Sequence, residues 1–241
     1  MADTIPALKI AIDGPAGAGK STVAKLAAKK LGYLYLDTGA MYRAATVLAL
    51  RKGLSMEEPE EIAAAVSQAK IDLVPATNAD GSPLLKVFLD EEEITFEIRS
   101  REVSLLVSPL STIAAVRDSL VEQQRRLSQL GGVVLDGRDI GTVVLPNAEV
   151  KIFLTASAAE RAKRRLKEFE SRGENVEFDT VLKEIVERDR RDSTREIAPL
   201  KKAEDAHEII TDGMTINEVV EKVLGLCAHA KKTERSRREL I

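Results

Sequence analysis

The sequence predicts an α/β fold: a doubly wound sheet of five parallel strands carrying a small antiparallel insert. Three observations lead there. Short apolar runs alternate with longer helical patterns, as in successive βαβ units around a parallel sheet. The first run breaks into a Gly/Ala-rich loop that opens an amphipathic helix. Between Ser55 and Val107 the rhythm changes to short β-like pieces around a turn signal. The length, 241 residues, suits one compact domain with an inserted subdomain.

The elements follow in order. Leu8–Ile12 is the first strand; the helix after its loop carries Val23, Leu26, Ala27 and Leu31 on one face and stops at Gly32. Tyr33–Leu36 is the second strand, leading through Asp37-Thr38-Gly39 into a helix over Ala40–Leu50. Gly131-Gly132 precede a buried strand, Val133–Leu135, that ends at Asp136. Val150–Leu154 comes next, and Ser157-Ala158-Ala159-Glu160 reads as a capping box for the following helix. Ile209–Thr211 is the last strand, and Thr215-Ile216-Asn217-Glu218 caps the final helix in the same manner.

The insert reads as a helix over Pro59–Ala69, then β pieces at Ile71–Val74, Leu84–Leu89 and Ile94–Thr95, with Asp80-Gly81 as the hairpin turn between the first two. The acidic run Asp90–Glu93 reads as a solvated loop: no His or Cys lies near, and adjacent carboxylates repel without a cation. Lys231–Ile241 is a charged tail expected to fray.

Composition narrows the function classes. Charged residues are 31% and apolar residues 44% of the chain, an ordinary globular balance. A net charge of −3 argues against a general nucleic-acid or membrane-surface binder, which needs a positive field. The single cysteine, Cys227, excludes an intrachain disulfide and fits a reducing compartment. Its place in the pattern Val219-Val220-Val223-Leu224-Cys227 makes it a core hydrophobe. Met1–Lys9 lacks the pattern of a signal peptide and no apolar run nears spanning length, so the expected location is the cytoplasm.

Gly14-Pro15-Ala16-Gly17-Ala18-Gly19-Lys20-Ser21 satisfies the phosphate-binding loop pattern in full. Glycines let the backbone curl so that successive N–H groups face phosphate oxygens, and the next helix adds its positive end. Lys20 can bridge the β- and γ-phosphates of ATP, and the Ser21 hydroxyl can ligate Mg²⁺ directly. The loop alone does not separate a kinase from a switch GTPase or a motor. The Asn-Lys-x-Asp base-reading motif of guanine switches is absent from the chain.

Transfer between two nucleotides requires charge neutralisation on both. Arg188, Arg191 and Arg195 recur at i, i+3 and i+7 of a predicted helix and share a face. With Glu184, Glu187, Asp189 and Asp192 interleaved, that spacing alone fits a solvated salt-bridged face equally well. Arg43 and Arg138 follow predicted strands, at the sheet edge where doubly wound folds bind ligands, which favours phosphate clamping.

Four segments then carry a family resemblance. Ile12-Asp13-Gly14-Pro15-Ala16-Gly17-Ala18-Gly19-Lys20-Ser21-Thr22, Leu36-Asp37-Thr38-Gly39-Ala40-Met41-Tyr42-Arg43, Asp136-Gly137-Arg138-Asp139-Ile140-Gly141-Thr142-Val143-Val144 and Arg188-Asp189-Arg190-Arg191-Asp192 together resemble bacterial cytidylate kinases. The likeness extends over residues 9–230, and the third segment with the insert separates this family from adenylate, thymidylate and shikimate kinases. It implies a P-loop kinase domain whose core is 1–54, 108–158 and 196–230. A monophosphate-binding insert would be 55–107, a short lid 159–195 and a tail 231–241.

By the same resemblance, Gly14 to Thr22 bind ATP and Arg164 packs on its adenine. Thr38, Tyr42, Arg43, Ser108, Arg117, Arg138, Asp139, Arg188 and Asp192 correspond to the CMP site. The expected reaction is in-line transfer from MgATP to CMP or dCMP, with Lys20, Arg138, Arg188 and Arg191 as the catalytic cations and no general base. Asp37 and Asp136, each ending a strand, are candidates for holding Mg²⁺ through water or for anchoring arginines. Cytosine N4 can donate to Asp139 while Arg117 donates to the acceptor edge. A monomer with no nucleic-acid or membrane partner is expected. Ser108 before Pro109 could equally cap a helix, and Arg117 with Asp118 could form a surface pair.

Overall fold

The computed structural model describes residues 7–78, 81, 83–171 and 173–239. Its elements are β1 (Lys9–Asp13), α1 (Lys20–Leu31), β2 (Leu34–Asp37), α2 (Thr38–Arg51), α3 (Pro59–Gln68), β3 (Ile71–Thr77), β4 (Pro83–Leu89), β5 (Glu92–Glu93), α4 (Arg101–Leu110), α5 (Ala114–Leu127), β6 (Val133–Gly137), β7 (Val150–Thr155), α6 (Ala158–Glu170), α7 (Phe178–Thr194), β8 (His207–Ile210) and α8 (Ile216–Glu239). Five strands form a parallel sheet in the order β2-β6-β1-β7-β8, and three more form an antiparallel sheet, β3-β4-β5. The chain divides into two compact units, Met1–Tyr33 with Gly131–Ile241, and Leu34–Leu130.

In the first unit β1 lies between β6 and β7, with Ile12 opposite Asp136 on one side and Ile152 on the other. Ile10, Ala11, Ile12, Val134 and Leu135 are completely buried, which is why these strands read as unbroken apolar runs. α1 ends as expected at Gly32, in the left-handed region at φ 69°. Glu218 accepts from the backbone N–H of Thr215 at 2.8 Å while the Thr215 hydroxyl accepts from the Glu218 N–H at 3.3 Å, a complete capping box for α8. The box predicted at Ser157 is only half made. Its hydroxyl caps α6 by accepting from the Glu160 N–H at 3.3 Å, but its own N–H donates to Asp212, 2.9 Å away. The tail expected to fray continues α8 as helix as far as Glu239, and residues 240–241 lie outside the described residues.

The second unit packs its own core, in which Met41, Ile62, Leu110 and Leu120 of four helices meet Val87 of β4. β3 and β4 pair antiparallel from Ile71 opposite Leu89 to Thr77 opposite Pro83. The hairpin turn expected at Asp80-Gly81 has Gly81 at φ 77°, while Asp80 lies outside the described residues. The third β piece is Glu92–Glu93, not Ile94–Thr95. Asp90 and Glu91 turn the chain at φ 48° and 73°, a primed turn that suits a two-residue hairpin. The acidic run is solvent-exposed as expected, but only Asp90 and Glu91 are a turn: Glu92 and Glu93 form β5 and pair with Arg51 and Lys86, each at 2.8 Å.

Candidate active site

In the first unit the loop after β1 curls through three glycines at positive φ: Gly14 at 145°, Gly17 at 77° and Gly19 at 90°. Gly14 is fixed by crowding as well, since a Cβ there would lie 1.9 Å from the carbonyl oxygen of Leu154 in β7. Lys20, at the first position of α1, is buried and donates to the Pro15 carbonyl at 2.8 Å. Next to it, the Ser21 hydroxyl donates to Asp136 Oδ2, also at 2.8 Å. Burial first, then the charges of Arg138 and Arg188, lower Lys20 to about 7, with Asp136 pulling the other way.

Asp13, the last residue of β1, makes contacts beside the loop that the motif did not assign. Its two carboxylate oxygens accept from the N–H groups of Ile140 and Gly141 at 2.8 and 2.7 Å. Burial pushes its pKa up to about 6 against those two bonds. It fixes the segment after β6, where Ile140–Val144 forms one wide turn closed by Leu145 N–H onto the Ile140 carbonyl at 2.6 Å. Arg138 and Asp139 enter that turn.

Arg138 donates to Asp192 of α7 at 2.8 Å, and Arg188, one turn back on α7, lies 3.9 Å from the same carboxylate oxygen. Burial opposes ionisation of Asp192, but Arg138, Arg188 and Arg195 outweigh it and hold the carboxyl below its ordinary range. Asp139 is buried 3.7 Å from Arg195. Arg195 itself lies just past the end of α7 in extended conformation, donating to the Ala198 carbonyl at 2.7 Å, so it does not continue the helix face of Arg188 and Arg191. Arg191 is the outermost of the three, 3.7 Å from Glu187 and 40% exposed. Arg164 of α6 donates to the Ala18 carbonyl at 3.4 Å and to the Thr211 hydroxyl at 3.0 Å.

In the second unit the N-terminal turn of α2 and the helices α4 and α5 present the remaining residues. Asp37 caps α2 by accepting from the Ala40 N–H at 2.9 Å, and Thr38 and Tyr42 are buried beyond it. Arg43 donates to the Ile98 carbonyl at 3.1 Å and the Ser104 hydroxyl at 2.9 Å. Arg117 is no surface residue: it is 3% exposed, lies 5.6 Å over the Tyr42 ring and reaches the Ser111 carbonyl at 3.4 Å. Ser108 sits in the last turn of α4, not at its start, and is buried.

A family model for cytidylate kinase matches residues 10–229. The chain belongs to the cytidylate kinase family. Among curated cytidylate kinases, that of Bacillus licheniformis is 52% identical over 217 residues, spanning 90% of this chain and 94% of that protein. The Streptococcus thermophilus protein is 54% identical over 214 residues, spanning 89% and 93%. That of Bacillus subtilis is 51% identical over 217 residues, spanning 90% and 95%. The resemblance drawn from four short segments thus extends over the cytidylate kinase match almost end to end.

Arg161 and Asp189 were missed by the sequence reading. Their guanidinium and carboxylate form a two-bond pair at 3.0 and 2.6 Å beneath the phosphate loop. The signal was available in part: Arg161 and Arg164 stand at i and i+3 of the helix after β7 and so share a face.

Proposed function

We propose that the protein transfers the γ-phosphoryl group of ATP to CMP or dCMP, giving ADP and CDP or dCDP. The observation that carries this reading is the convergence of Arg138 and Arg188 on a buried lysine at the phosphate loop. Like charges brought together out of water are unfavourable, and a polyphosphate is the ligand that rewards them. Family membership supplies the base.

The nucleophile is an oxygen of the CMP α-phosphate, already ionised at neutral pH. It bonds to the γ-phosphorus as the bond from that phosphorus to the β,γ-bridging oxygen breaks, and the electron pair leaves on ADP. Lys20 moves from the Pro15 carbonyl to the β- and γ-phosphates. Arg138, Arg188 and Arg191 meet charge on the transferring group, and Arg164 packs on the adenine. Thr38, Tyr42, Arg43, Ser108, Arg117, Asp139 and Asp192 hold and read CMP, with 55–107 as the monophosphate-binding insert. The α6–α7 segment, as the lid, excludes water during transfer.

Mg²⁺ fits the oxygens present. Ser21 and Asp136 form a hydroxyl–carboxylate pair at the loop, and among the described residues no cluster of three or more His, Cys, Asp or Glu offers a competing all-protein cage. Ser21 would hold the ion directly and Asp136 through water, with Asp37 as a second carboxylate acting through water. The ion would neutralise charge on the β- and γ-phosphates. We propose a cytoplasmic monomer acting on free nucleotides, without nucleic-acid or membrane partners; the single thiol and the net charge of −3 support this.

A coupled assay of ADP release tests the reading. CMP is expected to react at least about a hundredfold faster than AMP, since a site built to hydrogen-bond one base edge rejects the wrong one strongly. Equal rates with CMP and AMP would overturn it.

A further inference from the structure

We propose that Arg161 is a positioning residue for the donor phosphates, setting the phosphate loop from its carbonyl side and tying it to α7 through Asp189. The inference rests on the kinase reading above and deepens it.

Arg161 is 4% exposed, and each nitrogen of its guanidinium donates a hydrogen bond. Nε donates to the Ala156 carbonyl at 2.9 Å, Nη1 to the Ala16 carbonyl at 3.1 Å, and Nη1 and Nη2 to the two oxygens of Asp189 at 3.0 and 2.6 Å. The Ala16 bond matters because a trans peptide is planar, with its C=O and the following N–H on opposite sides. Holding the Ala16 oxygen outward therefore aims the Gly17 N–H toward the concave face of the loop. Gly17 rests on the same side chain, since a Cβ added to it would lie 3.2 Å from Arg161 Cβ.

Neighbouring peptides are handled alike. Arg164, one turn further along α6, donates to the Ala18 carbonyl at 3.4 Å, and Lys20 to that of Pro15 at 2.8 Å. The carbonyls of residues 15, 16 and 18 are thus each held by a cation before ATP binds; Lys20 then leaves Pro15 for the phosphates, whereas Arg161 stays and keeps the Gly17 N–H preorganised. Asp189 extends the arrangement. It follows Arg188 directly and lies one turn before Asp192, the carboxylate that receives Arg138. A two-bond fork fixes orientation as well as distance. Arg161 therefore registers the phosphate loop against the α7 residues that neutralise the transferring group.

A buried ion pair with only a structural role would change stability and leave the response to ATP alone. The variants Arg161→Lys, Asp189→Asn and their double mutant separate the two cases, measured by steady-state kinetics with ATP and CMP varied in turn and by thermal unfolding. Lysine keeps the charge but cannot serve Ala16 and Asp189 together. For Arg161→Lys we expect KM for ATP to rise about tenfold and kcat to fall about tenfold, with KM for CMP within about threefold. Asp189→Asn is expected to lower kcat about tenfold with little change in KM for ATP, and the double mutant to be no slower than Arg161→Lys. ATP KM and kcat within twofold of wild type in a folded Arg161→Lys, or additive losses in the double mutant, would overturn the proposal. If Arg161→Lys does not fold, an unchanged kcat in Asp189→Asn overturns it instead. A wild-type enzyme inactive on CMP defeats the kinase reading, whatever these variants do.

Discussion

Gly14 shows how much one residue can carry. Its φ of 145° is open only to glycine, and a methyl group there would meet the Leu154 carbonyl at 1.9 Å. Gly14→Ala must therefore displace β1 from β7 or distort the loop. It is expected to lose about 2–4 kcal/mol of stability, read from the urea midpoint, together with ATP binding. This was legible in the sequence because each position of the loop pattern has its own chemical reason. Arg161 and Asp13 were not, for an opposite reason each. An arginine on an amphipathic helix is indistinguishable from a solvated one until its partners are known, and Asp189 is 28 residues away. Asp13 answers N–H groups more than a hundred residues distant, which no local pattern records. Arg117 stood open between surface pair and ligand group; its burial rules out the first.

Among elements, α6 and α7 pack against each other with a core of their own, Ala162, Val181 and Ile185, flanked by Leu166, Phe169 and Phe178. From so small a cluster the pair is expected to open at lower cost than the sheet. Val181→Ala should remove about 1–3 kcal/mol from it. Hydrogen exchange is expected to quicken about tenfold or more in α6 and α7 and to stay unchanged in β1 and β6. The five parallel strands were legible within a residue or two, and so were the helix starts at Ser157 and Thr215, because apolar runs and Ser/Thr–Glu spacings are local signals. The β4–β5 turn was missed because Asp and Glu at positive φ resemble an acidic loop, and the Arg51 and Lys86 partners lie elsewhere in the chain. The tail was misjudged because charge suggested fraying, whereas the capping box at Thr215 starts a helix that continues to Glu239.

For the molecule as a whole, two buried groups shape the response to pH. Asp13 titrates near 6 when folded, above its ordinary 3.8, so its contribution to stability falls as pH rises between these values. Lys20 titrates near 7, below its ordinary 10.5, so the unfolded chain holds the extra proton across that window and stability rises with pH. Lys20→Met removes the second effect, together with a charge that partly offsets the rise at Asp13. Its stability is expected to exceed that of the wild type at pH 6, with the gap closing toward pH 10; a constant gap in urea midpoints would contradict the burial of charge at Lys20. The parallel sheet and its insert were legible from alternation of elements, because burial on both faces leaves a plain apolar record. The division of the chain at Leu34 and Leu130 was not, since Gly131-Gly132 at the second boundary reads equally as the turn before a strand and no linker marks the first. One further property of the whole fold follows from Cys227, the only thiol in 241 residues. It is fully buried on α8, which packs against α1, and burial raises its pKa to about 11. A thiol held protonated and out of reach reacts only when α8 loosens from the structure around it. The native chain therefore carries its own stopwatch: a disulfide reagent that colours on reaction times the loosening of the last helix, with no label introduced.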